Sequence, residues 1–341
     1  MRVIECLGLL NKSVDVGFSE GRLSVLDYWR VPVAACLHNT SLEAVSGEGL
    51  PSADCVLGYI ASTPWKQIDE QFRAAIADSV KAAKQDGWFN RPVWCAIDFH
   101  DDDYYGEYTY GVVGCYGKHG TNQCFRIASL DVCEAGRRFT LAVMPVFKGT
   151  SALDVVEYLV REARRYVKIK CLLMDRWFYS ILVFRALGWL KLKYIVCAKQ
   201  TGKLLMAVYG RTYLEYTMKN SKDEYTVGLT VYRPDDKNLW VYATNLKCRH
   251  DTVAFIYKRR WGIETGYKCK NKYSANTTSR RYKIRLFLIL LAVVLFNLWV
   301  LANLVADSAT IRRLKPRIEY STKVTIFKFK QEFIRHLADN G

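Results

Sequence analysis

The sequence predicts an α/β protein: a mixed sheet flanked by helices, with a helical N-terminal region and a small β insertion ahead of the last acidic helix. Three observations carry this. Val93–Ile97 and Cys171–Met174 are short, continuous apolar runs, as expected of strands buried on both faces. Segments with helical spacing alternate with them, the clearest being Ser151–Val167. Residues 200–247 alternate Tyr, Val, Leu and Thr with polar residues, the two-residue period of strands.

At 341 residues the chain is long enough for a large core and for more than one domain. Residues 1–90 are nearly neutral, and helical spacing runs through 20–37, 41–48, 52–61 and 65–86. Gln67–Ile76 opens an amphipathic helix that ends near Gly87. The break at Gly47–Pro51 reads either as a helix-turn-helix or as the bend of a plain helical cap. After Pro92 the pattern turns to strands: Val93–Ile97, then Tyr108–Tyr116 and Arg138–Val146. The helix 151–167, the strand 171–174, a helix over 179–187 and the strand 194–198 follow. The β insertion, punctuated by Gly210, Gly228 and Pro234-Asp235-Asp236, ends in a strand over Leu239–Ala243. A helical segment Thr252–Lys272, a polar linker Tyr273–Ser279, an apolar helix near 282–306 and a basic tail complete the chain. The expected division is 1–90, a core of 91–199 with 248–306, an insertion of 200–247 and a tail of 307–341.

The net charge is +17, which makes a polyanion or an anionic membrane surface the natural partner. From Arg249 onward there are 19 Lys and Arg against 6 Asp and Glu, a net of +13, so residues 1–248 carry only +4. Within that basic quarter, residues 257–272 hold one carboxylate, Glu264, among six basic residues and three aromatics. On a regular helix Tyr257, Arg260, Glu264 and Lys268 fall within about 80° of one another. A lone acid on such a face suits a site where one carboxylate holds a metal ion and its neighbours hold phosphates.

The 11 cysteines form no CxxC pair, and an odd count without framework spacing favours a reducing compartment. Cys248 and His250 have no second half, which argues against zinc. Met1–Leu10 lacks the ordered parts of a signal peptide, so none is expected. Leu286–Val305 is free of charge and long enough to span a bilayer, with Arg280, Arg281, Lys283 and Arg285 on one flank. Its alternative is a helix buried on all sides of a soluble domain, which suits Asn297 and Asn303 inside it.

Two apolar strands each finish in a lone aspartate, Asp98 and Asp175. In a sheet of this kind ligands gather at the carboxyl ends of strands. Either aspartate alone could instead cap the following turn. With Glu264 they form a set of three hard oxygen ligands, which suits Mg²⁺ or Mn²⁺ rather than zinc. Two such ions about 3.5–4 Å apart support in-line phosphoryl displacement. Asp101–Asp103 read as extra ligands or as a solvated acidic turn, and His100 as a neighbour of the site or an exposed residue.

Asp98 within AIDFHDDDYYG, Asp175 within LLMDRWFYS, and YATNL followed by YKRRWGIETGYK resemble the insertion-sequence transposases that carry an Asp-Asp-Glu triad and a Tyr-Arg-Glu-Lys signature. The resemblance runs from about Val93 to Val305. It implies a ribonuclease-H-like catalytic core, with Asp98, Asp175 and Glu264 as catalytic and metal-binding residues and two Mg²⁺ (or Mn²⁺) ions as cofactors. Tyr257 and Arg260 would contact the phosphate of the strand not transferred. The family spacing puts the signature lysine at position 271, where this chain has Asn271. Lys268 keeps the helix face and Lys272 is the second choice; Lys270 points away. Trp261 stacks on a flipped base or serves as a core residue. The resemblance also implies a packed apolar helix with no membrane partner. Its other implications are double-stranded DNA partners (element inverted-repeat ends and target), a homodimer on DNA and a cytoplasmic, nucleoid-associated location. Residues 1–90 are the candidate DNA-end-binding domain. The alternatives to a transposase are a ribonuclease-H-like nuclease or inactive DNA-binding derivative and, more remotely, a basic single-span membrane protein.

Overall fold

The computed structural model describes residues 10, 12–18, 23–118, 120–134, 138–235, 238–313 and 325–339. Helices α1 (Val25–His38), α2 (Ala53–Ser62) and α3 (Trp65–Gln85) open the chain. Ser24 and Asp27 form a reciprocal cap at the start of α1, and Asn39, in the left-handed region at φ 58°, ends it. The expected helix over 41–48 is not formed: the segment folds as turns, with Gly49 at φ 79°. Ser41 and Ser46 bond to the segment's own backbone, which offers it an alternative to helical winding. Trp29 of α1 stacks on Phe287 at 5.8 Å and Phe72 of α3 packs edge-on against it at 5.2 Å. These helices thus share one apolar core with the sheet, the arrangement of a helical cap.

Among the described residues the sheet has nine strands: β1 (Val93–Asp103), β2 (Val112–Lys118), β3 (Thr121–Val132), β4 (Phe139–Val146), β5 (Ile169–Met174), β6 (Tyr194–Cys197), β7 (Tyr213–Lys219), β8 (Glu224–Tyr232) and β9 (Trp240–Thr244). Their order is β2-β3-β1-β5-β6-β9-β8-β7, with β4 also on β3. β1, β5 and β6 run parallel, while β3 and β9 are antiparallel to their neighbours in that set. The β-rich segment therefore extends the same sheet through β9. Helices α4 (Ala152–Arg164), α5 (Ile181–Trp189) and α6 (Gly202–Val208) make the connections.

Two stretches depart from expectation. β3 occupies the stretch between Tyr116 and Arg138, where no strand was expected, and it pairs with β1, β2 and β4. Its apolar pattern is interrupted by Ser129 and Asp131, which are nonetheless buried. β1 runs through Asp103 instead of ending at Asp98, so Asp101–Asp103 are strand residues. The acids tolerate this because each of two has a cation: Arg126 holds Asp101 through two bonds of 2.6 and 2.7 Å, and Arg285 holds Asp102 at 2.7 Å.

The basic segment is not one helix. It comprises α7 (His250–Tyr257), a 3-10 turn at Lys258–Arg260, α8 (Trp261–Lys270) and a second 3-10 turn at Asn271–Tyr273. The apolar run lies in α9 (Tyr282–Arg313), long and apolar enough to cross a membrane but buried here against α3 and the sheet. Its flanking Arg285 is also buried, on Asp102. Asn297 is fully buried and binds the backbone N–H and carbonyl of Thr140 at 2.9 Å each. Asn297→Leu is expected to strand both groups and cost about 2–3 kcal/mol, read by urea unfolding. Part of the tail forms α10 (Ile326–Asp339), whose Phe329 and Phe333 are buried; residues 314–324 and 340–341 of the expected tail lie outside the described residues.

Candidate active site

Strand alternation places the acids. Successive side chains of a strand point to opposite faces. Cys95, Ile97, Leu172 and Met174 belong to the large core on one face. Ala96, Cys171 and Leu173 belong to a smaller cluster on the other, shared with Val253, Ile263 and Tyr267 of α7 and α8. Asp98 and Asp175 continue the second set, so both emerge under the segment that carries Glu264. β1 and β5 are parallel neighbours with Ile97 opposite Met174, which sets the two aspartates side by side at the same end.

Arg260 joins the third acid to them. Its guanidinium donates to Asp98 Oδ2 at 2.6 Å and to Glu264 Oε1 at 2.6 Å. Asp175 accepts from the Trp177 N–H at 2.9 Å, so it caps the turn after β5, and its charge acts on Asp98 and Arg260. Burial pushes the Asp98 carboxyl up to about 6; Arg260 opposes the shift, and Asp175 and Glu264 add to it. Burial raises Asp175 too, against the Trp177 N–H, Arg260, Arg176 and Lys199. Arg260 bonds to two of the three carboxylates, and the potential donors are all oxygen. That fits hard divalent cations.

The three carboxylates are spread more widely than a preformed cluster. Among the described residues, only Asp101, Cys115 and Cys124 bring three ligand atoms within 4.8 Å of one another. Asp101 there is already held by Arg126, so this group is not a free metal site.

The other expected contacts are placed as follows. Tyr257 is buried, with its hydroxyl donated to the Met174 carbonyl at 3.2 Å. Trp261 is 63% exposed, which makes it a surface residue and not a core tryptophan. Lys268 and Lys272 are exposed on α8 and the turn after it. Lys270 does point away from Glu264, into the fold, where it pairs with Asp131 of β3 at 2.6 Å. His100 is not exposed; it stacks on Tyr267 at 5.2 Å, and burial lowers it to about 4. Tyr267, Ser129 and the Lys270–Asp131 pair escaped the sequence reading. The available signal was two polar residues in a strand otherwise suited to a core.

Asp98 ties stability to pH. Its folded value lies above the usual 3.8, so its contribution is present in full below about pH 4 and is lost as pH rises through about 6. Without divalent ions the thermal midpoint is expected to fall across that window for the wild type and to stay flatter in Asp98→Asn. Calorimetry in a chelating buffer reads both; equal slopes would place the titration elsewhere.

Parallel β1, β5 and β6 bordered by antiparallel β3, with an acid within β1, another just after β5 and a third on a later helix, make a ribonuclease-H-like fold. Comparison with sequence families matches residues 116–298, more than half the chain, to the transposase DDE domain. The chain belongs to that family: it is a DNA transposase, an enzyme that cleaves and joins DNA, and the family generally depends on divalent metal. The match contains Asp175 and Glu264 and begins after Asp98. Among solved structures, a piggyBac transposase synaptic complex with hairpin DNA, determined by cryo-EM, is similar in fold. Its TM-score is 0.66 at 12% identity, over 98% of this chain and 80% of that one. Comparison with curated proteins gives no match.

Proposed function

We propose that Asp98, Asp175 and Glu264 hold two Mg²⁺ or Mn²⁺ ions and that the chain hydrolyses phosphodiesters at the ends of its element and joins them to target DNA. The observation that carries this is the Arg260 guanidinium bonded at once to Asp98 and Glu264, which ties the helix acid to the strand acid. When bound, the ions supply an activated oxygen nucleophile and stabilise the leaving oxygen. Arg260 competes for the oxygens the ions would take. Its release from at least one carboxylate frees it to bind a backbone phosphate. Lys268 and Lys272, exposed on the same segment, draw the DNA backbone toward the acids. Tyr257, engaged on Met174, contributes by anchoring the segment. Trp261, beside Arg260 and exposed, is suited to stack on an unpaired base.

Residues 1–90 are proposed to read the inverted-repeat ends. Joining two ends requires a homodimer on DNA, in the cytoplasm at the nucleoid. Supercoiled plasmid, labelled element ends and Mg²⁺ test the reading: end joining into the plasmid supports a transposase, and cleavage alone supports a nuclease.

A further inference from the structure

The segment carrying Glu264 is fastened to both aspartate strands by tyrosine hydroxyls. Tyr257 donates to the Met174 carbonyl, next to Asp175. Tyr267, one turn beyond Glu264, donates to the carbonyl of Asp98 itself at 2.8 Å. The Tyr267 oxygen in turn accepts from Ser129 Oγ at 2.8 Å, and Ser129 is the β3 residue paired across from Asp98. That hydroxyl therefore closes a bridge from α8 to β1 and β3 at the level of the first acid.

The surroundings hold the ring in place. Lys270 sits over it at 4.5 Å while bound to Asp131, and His100 stacks on it at 5.2 Å. Gly262, which is buried, lets α8 approach the end of β3; a Cβ there would meet the Cys133 carbonyl at 3.2 Å. The Arg260 bridge cannot set this spacing during catalysis, because the ions compete for its carboxylates. The hydroxyl bond is to backbone and survives that exchange.

We infer that Tyr267 is a positioning residue: its hydroxyl, backed by Ser129, fixes the separation of Glu264 from Asp98 for divalent-ion binding. The inference rests on the assignment of those two acids to the metal site. Tyr267→Phe keeps the ring packing and removes only the bridge. Mg²⁺ demands near-ideal octahedral geometry, so a loosened pair of acids penalises it more than Mn²⁺.

The test measures Mg²⁺ and Mn²⁺ affinity by calorimetry, cleavage rate with each ion, and DNA-end binding by gel shift, for wild type, Tyr267→Phe, Ser129→Ala and Glu264→Gln. The expected result for Tyr267→Phe is about tenfold weaker Mg²⁺ binding, the scale for losing a hydrogen bond that orients a ligand. A cleavage rate partly restored by Mn²⁺ and unchanged end binding complete the expectation. Ser129→Ala should shift the same way by less, and it decides the matter if Tyr267→Phe does not fold. Equal losses with both ions, or unchanged Mg²⁺ affinity, overturn the inference. Full cleavage by Glu264→Gln would instead overturn the site assignment beneath it, whatever Tyr267→Phe does.

Discussion

Glu264→Gln is expected to lower strand cleavage by about 10²–10³-fold, the scale for removing one fixed electrostatic stabiliser of a transition state. Binding to element ends should stay within about twofold of the wild type. The amide keeps the size of the side chain but loses the charge that a divalent ion requires. Arg260 retains its bond to Asp98, so the local packing has a second anchor. Single-turnover cleavage of labelled ends, with gel shift on the same DNA, reads the two effects separately. Retained cleavage would remove Glu264 from the site.

Lys270→Met carries the largest expected cost in stability. The Lys270–Asp131 pair is only 3% and 2% exposed and spans 2.6 Å between α8 and β3. Asp131 Oδ1 has no hydrogen-bond partner, so the carboxylate depends on the lysine. Removing one member leaves a buried charge unpaired, a loss of about 3–5 kcal/mol. Replacing both, as in Lys270→Met with Asp131→Leu, should recover most of it, because apolar residues of similar volume remove the desolvation penalty along with the attraction. Urea unfolding measures both variants. A single variant costing less than about 1 kcal/mol would mean that other contacts dock α8.

The parts of the fold that were legible in sequence are those ruled by apolar periodicity. Val93–Ile97 and Cys171–Met174 form buried strands, and Leu286–Leu304 forms a buried helix, because burial leaves mainly apolar residues there, with Asn297 held by Thr140. The acids were legible for the opposite reason, since Asp98 and Asp175 interrupt those runs. What stayed hidden depends on partners distant in sequence. β3 reads as irregular until Ser129 meets Tyr267 and Asp131 meets Lys270. Asp101–Asp103 read as a turn until Arg126 and Arg285 supply counter-charges.

The single regular helix face expected for Tyr257, Arg260, Glu264 and Lys268 is interrupted by a 3-10 turn at Lys258–Arg260. Arg260 and Glu264 still meet, being four residues apart across the start of α8. Tyr257 lies before the break and is drawn down onto Met174. The lysine end of the motif follows the same logic. Lys270 is used for docking, which leaves Lys268 and Lys272 as the exposed cations beyond Glu264.

The central claim is that three acids, from two parallel strands and one helix, form a single divalent-metal centre. Anomalous diffraction from crystals soaked in Mn²⁺ tests it most directly. The account predicts Mn²⁺ peaks ligated by Asp98, Asp175 and Glu264, with Arg260 displaced from at least one carboxylate. Peaks confined to other residues, such as Asp101 with Cys115 and Cys124, with the Arg260 bridge intact, would contradict it.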